Sequence, residues 1–259
     1  MSSNSGSALR IALVGTGRMG RAVEEAIRRG GSHEVVARFD EQQPLLEARD
    51  PDALHDADLV IDFSAPDVAL DNIHRYCFWG IDAVVGTTGW YDDLHRVRDW
   101  VEEGQNGLLY APNFSLGVAV LVRALRGALP LLDQLAEYDP FVHEIHHTGK
   151  VDSPSGTALM LAEAVRDGLQ RKNRLAIETQ HGRIDPDALH VSSTRAGAVF
   201  GDHTVGFDSE VDQLTFRHVA KGREVFASGA LRAAEWLQGR TGLFTLDDLL
   251  ADLETGASG

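Results

Sequence analysis

The 259-residue chain is predicted to fold as an α/β protein in two parts, a doubly wound parallel-sheet domain and a smaller α+β domain. Three observations predict it. Between Leu9 and Ala111, short aliphatic runs alternate with helical patterns, which is the rhythm of βαβ units. A glycine-rich turn, Gly15-Thr-Gly-Arg-Met-Gly20, joins the first run to the first helical pattern. Past Asn113 the pattern changes to long runs that alternate apolar and polar residues, as half-buried strands do.

The elements follow in order. Arg10–Val14, Glu34–Phe39, Asp58–Phe63, Ala83–Gly86 and Leu108–Ala111 read as five buried strands of one parallel sheet. Arg18–Arg29, Pro66–Gly80 and Tyr91–Glu103 read as the helices between them, while the charged, proline-punctuated stretch Asp40–Asp58 has no assignable pattern. A helix over Leu116–Leu132 leads into Glu137–Lys150, where the alternation of Phe141, His143 and Ile145 suits a strand, and a helix follows from Ser155 to Gln170. Strands are expected over His190–Phe200, Thr204–Phe207 and Gln213–Val219 in an antiparallel or mixed sheet, then a helix over Glu224–Leu237 and an acidic amphipathic tail. The domains are expected at 1–115 with 224–259, and at 116–223.

Composition excludes several classes. The chain has 24 Lys and Arg against 39 Asp and Glu, a net charge of −15, with 43% hydrophobic residues. That apolar fraction is globular, and the acidic balance with no basic patch argues against nucleic acid as a partner. The most apolar stretch, Leu116–Leu132, is interrupted by Arg123, Arg126 and Pro130, short of the ~18 uninterrupted residues of a membrane span. The first eight residues lack the charged and apolar regions of a secretory signal and read as a flexible leader, so the cytoplasm is the default location. The single cysteine, Cys77, reads as a packed helix residue.

Gly15, Thr16, Gly17, Arg18, Met19 and Gly20 stand where a Gly-x-Gly-x-x-Gly turn lets backbone N–H groups approach a pyrophosphate at a helix N-terminus. Asp40, 20 residues after Gly20 at the end of the second strand, is placed to accept hydrogen bonds from ribose hydroxyls. Together they predict a nicotinamide dinucleotide. Asp40 and Glu41 would repel a 2′-phosphate and favour NADH, whereas Arg18 and Arg38 would offset that repulsion, so NADPH stays open. The loops after the fourth and fifth strands, Gly86-Thr87-Thr88-Gly89 and Ala111-Pro112-Asn113-Phe114-Ser115, fit either cofactor contacts or ordinary turn chemistry.

The densest polar segment runs from His143 to Thr157. His143-Glu144-Ile-His-His147 satisfies His-Glu-x-x-His, but that zinc motif needs a helix, and on a strand its terminal histidines stand roughly 13 Å apart at ~3.3 Å per residue. No metal is therefore assigned. Lys150 lies six residues before Gly156, the wrong order for a phosphate loop. The remaining reading is a binding and protonation site for a small dianionic acid: His146, His147 and Lys150 supply donors, and Ser155, Gly156 and Thr157 supply backbone and hydroxyl groups at a helix start. Such a set suits hydride transfer, in which charge built on the atom beside the reduced carbon takes a proton. A noncatalytic dinucleotide sensor and a zinc hydrolase are the alternatives of other classes.

These motifs, with Asp62-Phe-Ser64, the run Glu144 to Ala158, Arg195-Ala-Gly and Gly201-Asp-His203, make the chain similar to the 4-hydroxy-tetrahydrodipicolinate reductase (dihydrodipicolinate reductase) family of lysine and diaminopimelate biosynthesis, nearly end to end. The resemblance implies a Rossmann-type domain with a returning C-terminal tail, and a substrate-binding and oligomerisation domain that builds a homotetramer. It implies His146 as catalytic proton donor with Lys150 as its partner, and His147, Gly156 and Thr157 on the carboxylates of a small dicarboxylate substrate. It further implies Gly15 to Gly20, Asp40, Gly86 to Thr88 and Ala111 to Phe114 on NADH or NADPH. The connection Asp40–Asp58 is shorter than in many members, and Ser153 stands where many have Ala.

Overall fold

The computed structural model describes residues 8–256, so all of the expected leader but Ala8 lies outside the described residues. The chain divides into two units, one made of residues up to Leu116 together with those from Arg223 onward, the other of Gly117–Gly222.

The first unit begins with β1 (Arg10–Val14), α1 (Arg18–Gly30) and β2 (Glu34–Phe39), then continues with β3 (Leu59–Asp62), α2 (Pro66–Trp79), β4 (Asp82–Val85), α3 (Leu94–Gly104) and β5 (Gly107–Tyr110). The strands are short and apolar because helices cover both faces of the sheet; all four residues of β3 are buried. Chain punctuation sets the helix ends. Pro66 opens α2, and Gly31 and Gly80 close α1 and α2 in the left-handed conformation that glycine adopts without strain. The segment expected as a helix from Tyr91 starts instead with a single 3-10 turn, Tyr91–Asp93. Asp40–Asp58, without assignable pattern in the sequence, contains two further 3-10 turns that bury Leu45 and Leu54, and Arg75 of α2 ties it down by donating to the carbonyls of Ala48 and Leu46.

The second unit contains most of α4 (Leu116–Gln134), then β6 (Asp139–His146), α5 (Gly156–Gly168), β7 (Arg174–Ala176), β8 (Ala188–Arg195), β9 (Gly201–Asp208) and β10 (Gln213–Ala220). Its sheet runs β10-β9-β6-β8-β7 and is mixed: β6 and β7 pair with β8 in parallel, and β9 pairs antiparallel with β6 and β10. Alternate residues Val142, Leu189, Val191, Val205 and Phe207 join Leu125 and Leu129 of α4 and Leu161 and Val165 of α5 in one core. The strand expected over His190–Phe200 stops at Arg195, where Ala196–Phe200 turns through a left-handed Gly197 into β9. The expected helix to Gln170 ends at Gly168.

The chain then re-enters the first unit with α6 (Glu224–Leu237), β11 (Gly242–Phe244) and α7 (Leu246–Thr255). β11 pairs in parallel with β5, so the sheet has six strands in the order β11-β5-β4-β3-β1-β2 rather than the five expected. Strand order reverses across β1, with β2 on one side and β3 on the other, and open α/β sheets bind ligands at the carboxyl ends of strands beside such a reversal.

Candidate functional site

In the first unit, the turn after β1 packs backbone against backbone. Gly15 has φ +90°, and a Cβ there would lie 2.2 Å from the carbonyl oxygen of Phe63; a Cβ on Gly20 would lie 2.0 Å from the carbonyl oxygen of Gly15. Only glycine fits either position. Gly17 begins α1 without a side-chain cap, and the first turn carries no acidic residue, so its N–H groups and dipole remain available to an anion. These features fit a dinucleotide pyrophosphate. Arg18 and Met19 occupy that first turn, with Arg18 exposed.

Asp40 is organised by the same turn. Its carboxylate accepts from the Thr16 hydroxyl at 2.8 Å and from the N–H groups of Gln42 and Gln43, and these hydrogen bonds, Thr16 foremost, hold its pKa below the ordinary aspartate value. The carboxylate is thus ionised and oriented, with lone pairs to spare for ribose hydroxyls. Arg38, expected as a counter-charge for a 2′-phosphate, is instead committed to Glu24 through its Nε and Nη2.

Behind the loops after β3 and β4 lies a buried brace absent from the sequence reading. Asp62, fully buried at the end of β3, accepts from Tyr76 Oη (2.6 Å), Ser64 N–H (2.7 Å) and Thr87 Oγ1 (2.9 Å), with Asn72 Nδ2 at 3.4 Å. Thr87 therefore spends its hydroxyl inside the protein, and its carbonyl accepts from Trp90 Nε1; of the expected pair, Thr88 is the exposed member. A Cβ on Gly86 would lie 2.1 Å from the Phe63 ring, so any larger residue would displace that ring. In the loop after β5, Pro112 is exposed and Ala111 buried. Asn113 Oδ1 accepts from Ser115 N–H, and Phe114 is 1% exposed, its ring edge-on to Phe63. Phe114 contributes a wall rather than an open face.

In the second unit, β6 disposes of the zinc-protease pattern. His143 and Glu144 point to opposite faces of the strand, His143 bonding Ser192 Oγ at 2.8 Å while Glu144 is fully buried, and His147 lies beyond the strand end. The strand register places Glu144 opposite Ser193 on β8 and His203 on β9. Glu144 Oε1 accepts from Ser155 N–H (2.9 Å), Ser193 Oγ (2.8 Å) and Arg195 Nη2 (2.9 Å). Burial alone would raise its pKa, but His203, Ser155 and Ser193 outweigh it and hold the carboxyl well below the ordinary range.

His146 follows two residues later on the same face. Its Nε2 lies 3.2 Å from His203 Nε2 and 3.4 Å from Glu144 Oε2. Burial lowers its pKa most; Glu144 pulls it up, whereas His203, Lys150 and Arg195 push it down. The ring is held in a cationic neighbourhood at the edge of the buried cluster, its side chain 10% exposed.

Lys150 and the start of α5 complete the site. Lys150 Nζ donates to both carboxylate oxygens of Asp152, at 2.8 and 3.0 Å, and this holds the Asp152 pKa below the ordinary value. Ser155 caps α5 by accepting from Ala158 N–H and places its Oγ 3.2 Å from His203 Nε2. Its hydroxyl is thereby used internally, a correction to its expected place on a substrate. His147 and Gly149 form the turn between β6 and Lys150, whose N–H donates to the His147 carbonyl. Gly156 and Thr157 form the first turn of α5, whose N-terminus favours an anion. His146, Lys150 and this helix start therefore fall within one short stretch. Glu144, which the sequence reading placed only in the zinc-hydrolase alternative, and His203 and Arg195, to which it gave no role, join them through strand pairing.

Comparison with known proteins covers both units. The family described as dihydrodipicolinate reductase, N-terminus, matches residues 9–114, and dihydrodipicolinate reductase, C-terminus, matches 117–250. A 4-hydroxy-tetrahydrodipicolinate reductase of Christiangramia forsetii is 38% identical over 245 residues, covering 95% of this chain and 99% of that protein. One from Chromobacterium violaceum is 35% identical over 263 residues, covering 93% and 97%. Among solved structures, a dipicolinate-bound dihydrodipicolinate reductase from Paenisporosarcina sp. shares the fold, with a TM-score of 0.74 at 22% identity over 92% of this chain and 97% of that one.

Proposed function

The chain belongs to the dihydrodipicolinate reductase family, and from that premise we propose that it reduces 4-hydroxy-tetrahydrodipicolinate to tetrahydrodipicolinate with NADH or NADPH, in lysine and diaminopimelate biosynthesis. The observation that carries the reading is the setting of His146, which contacts the buried Glu144–His203 cluster and feels the charge of Lys150 in the loop before α5.

The glycine turn after β1 binds the pyrophosphate, with Gly15 to Gly20 giving N–H groups and Asp40 receiving the ribose. Thr88, Pro112 and Asn113 stand on the open side of the loops that Gly86, Thr87, Ala111 and Phe114 shape from behind. The reduced nicotinamide, when bound, supplies the hydride. NADH is the favoured donor: Asp40 is ionised and Arg38 is paired with Glu24, so an added 2′-phosphate meets a carboxylate with Arg18 alone of the two arginines left to offset it. His147, Gly156 and Thr157 anchor the substrate carboxylates, and Lys150 adds a charge-assisted donor. His146 provides the proton; a dianionic substrate beside it raises its affinity for that proton at the moment of use. Glu144 and His203 position its ring.

Copies associate in this reading as a homotetramer through the second unit's sheet, on the partly exposed face that carries Phe141, Ile145 and Val219. The enzyme works in the cytoplasm; no helix among the described residues is long and apolar enough to cross a membrane. Dipicolinate, a planar dicarboxylate of the substrate's shape, tests the substrate site by calorimetry. Binding to wild type that weakens at least tenfold in Lys150→Ala supports the assignment; equal binding by both removes Lys150 from the site.

A further inference from the structure

Glu144 Oε2, His146 Nε2 and His203 Nε2 form a triangle with sides of 3.2, 3.4 and 3.5 Å. Zinc binds imidazole nitrogen and carboxylate oxygen at ~2.0–2.1 Å, and a regular tetrahedron of that size has edges of about 3.3 Å. Two imidazoles and one carboxylate are also a donor set that leaves a fourth position open on zinc. They favour zinc and its neighbours in the transition series over magnesium or calcium, which prefer oxygen.

An independent feature points to a cation at the same place. Glu144 is fully buried, and its two oxygens differ: Oε1 collects three well-formed hydrogen bonds, whereas Oε2 makes none of good geometry and faces the Nε2 atoms of His146 and His203 at 3.4 and 3.5 Å. A buried carboxylate oxygen without a donor is a costly arrangement that a proton or a metal ion relieves. The three donors on Oε1 fix the carboxylate, as outer partners fix ligating carboxylates in metal sites.

We propose that Glu144, His146 and His203 take up one zinc-class divalent ion per chain, and that this ion reversibly inhibits the reductase. Coordination at Nε2 stops His146 from taking the second ring proton that general acid catalysis needs. The binding stands by itself; the inhibition rests on the reductase reading. Two features make the ion an inhibitor rather than a resident group. Arg195 and Lys150 oppose a dication, and His203 Nδ1 is buried without the acceptor that usually steadies a ligating histidine. Affinity below that of a resident zinc site follows, reversible by a chelator.

The test uses untagged, chelator-treated protein titrated with Co2+ and read by visible absorption, followed by Zn2+ competition. The expected result is one equivalent per chain with the intense band of four- or five-coordinate Co2+, displaced by Zn2+ and lost in His146→Gln and His203→Gln. Circular dichroism checks that both variants are folded, and His146, at the rim, is the milder replacement. Zn2+ at the occupying concentration is expected to cut NAD(P)H oxidation at least tenfold, with recovery on chelation. A weak six-coordinate spectrum in wild type, or a band that survives in both variants, overturns the site. A bound ion with undiminished turnover overturns the inhibition alone, whereas metal binding in a protein without any turnover removes the reductase reading and leaves the site standing.

Discussion

Lys150 Nζ lies 2.8 Å from Oδ1 and 3.0 Å from Oδ2 of Asp152. Lys150 is a donor proposed for a substrate carboxylate, and on that proposal Asp152 is an internal stand-in that the substrate displaces. The pair is half exposed and worth little, about 1 kcal/mol at most. Asp152→Asn is therefore expected to lower KM by about two- to fivefold in steady-state assays; a raised KM would show that Asp152 instead holds the loop in shape.

His146→Gln removes the proposed donor while leaving a polar side chain in the buried cluster. Turnover is expected to fall at least ~10²-fold with dinucleotide binding, followed by fluorescence, unchanged. Retained turnover would mean that the proton comes from another group.

The Asp62 brace gives a stability prediction. Tyr76 is fully buried, and burial, together with the adjacent Asp62, pushes its pKa well above the ordinary value, so the phenol stays protonated as a donor. Tyr76→Phe deprives a buried carboxylate of its 2.6 Å donor and is expected to cost about 1–3 kcal/mol in urea unfolding. No loss would show that the remaining donors suffice.

A pH effect is expected on the outer face of the second sheet. The Arg217 hydrogen bonds, opposed in part by burial, keep the Asp202 pKa below the ordinary 3.8, with the nearby charges of Arg217, His203 and His143 acting in the same direction. A depressed folded-state pKa contributes stability that is complete above the unfolded value and lost as pH falls through about 4 and below. The stability gap between wild type and Asp202→Asn is thus expected at pH 7 and should close on acidification; a gap independent of pH would remove the carboxylate charge as its cause.

The legible parts of this chain were those written contiguously. The βαβ rhythm located β1 to β5, and the alternation around Phe141, His143 and Ile145 identified β6 as a strand, which separated the His-Glu-x-x-His pattern from a metalloprotease helix. β7 and β11 escaped because three residues are too few to show a period, and Asp40–Asp58 because its turns rest on single buried leucines, Leu45 and Leu54. His146 and Lys150 were visible because one short segment carries both. Glu144, Arg195 and His203 were not assignable together, since their meeting depends on the register of β6 with β8 and β9, which no spacing along the chain encodes. The Asp62–Tyr76–Thr87 contacts likewise join β3, α2 and the loop after β4.

The proposed reaction is measured by the loss of NADH and of NADPH absorbance at pH 7.5 to 8. Substrate is generated in place by a synthase that condenses pyruvate with aspartate semialdehyde. Rapid oxidation that requires the synthase is expected, with the lower KM for NADH. Absence of synthase-dependent oxidation, in protein that still binds the dinucleotide by fluorescence, would contradict the proposed reaction.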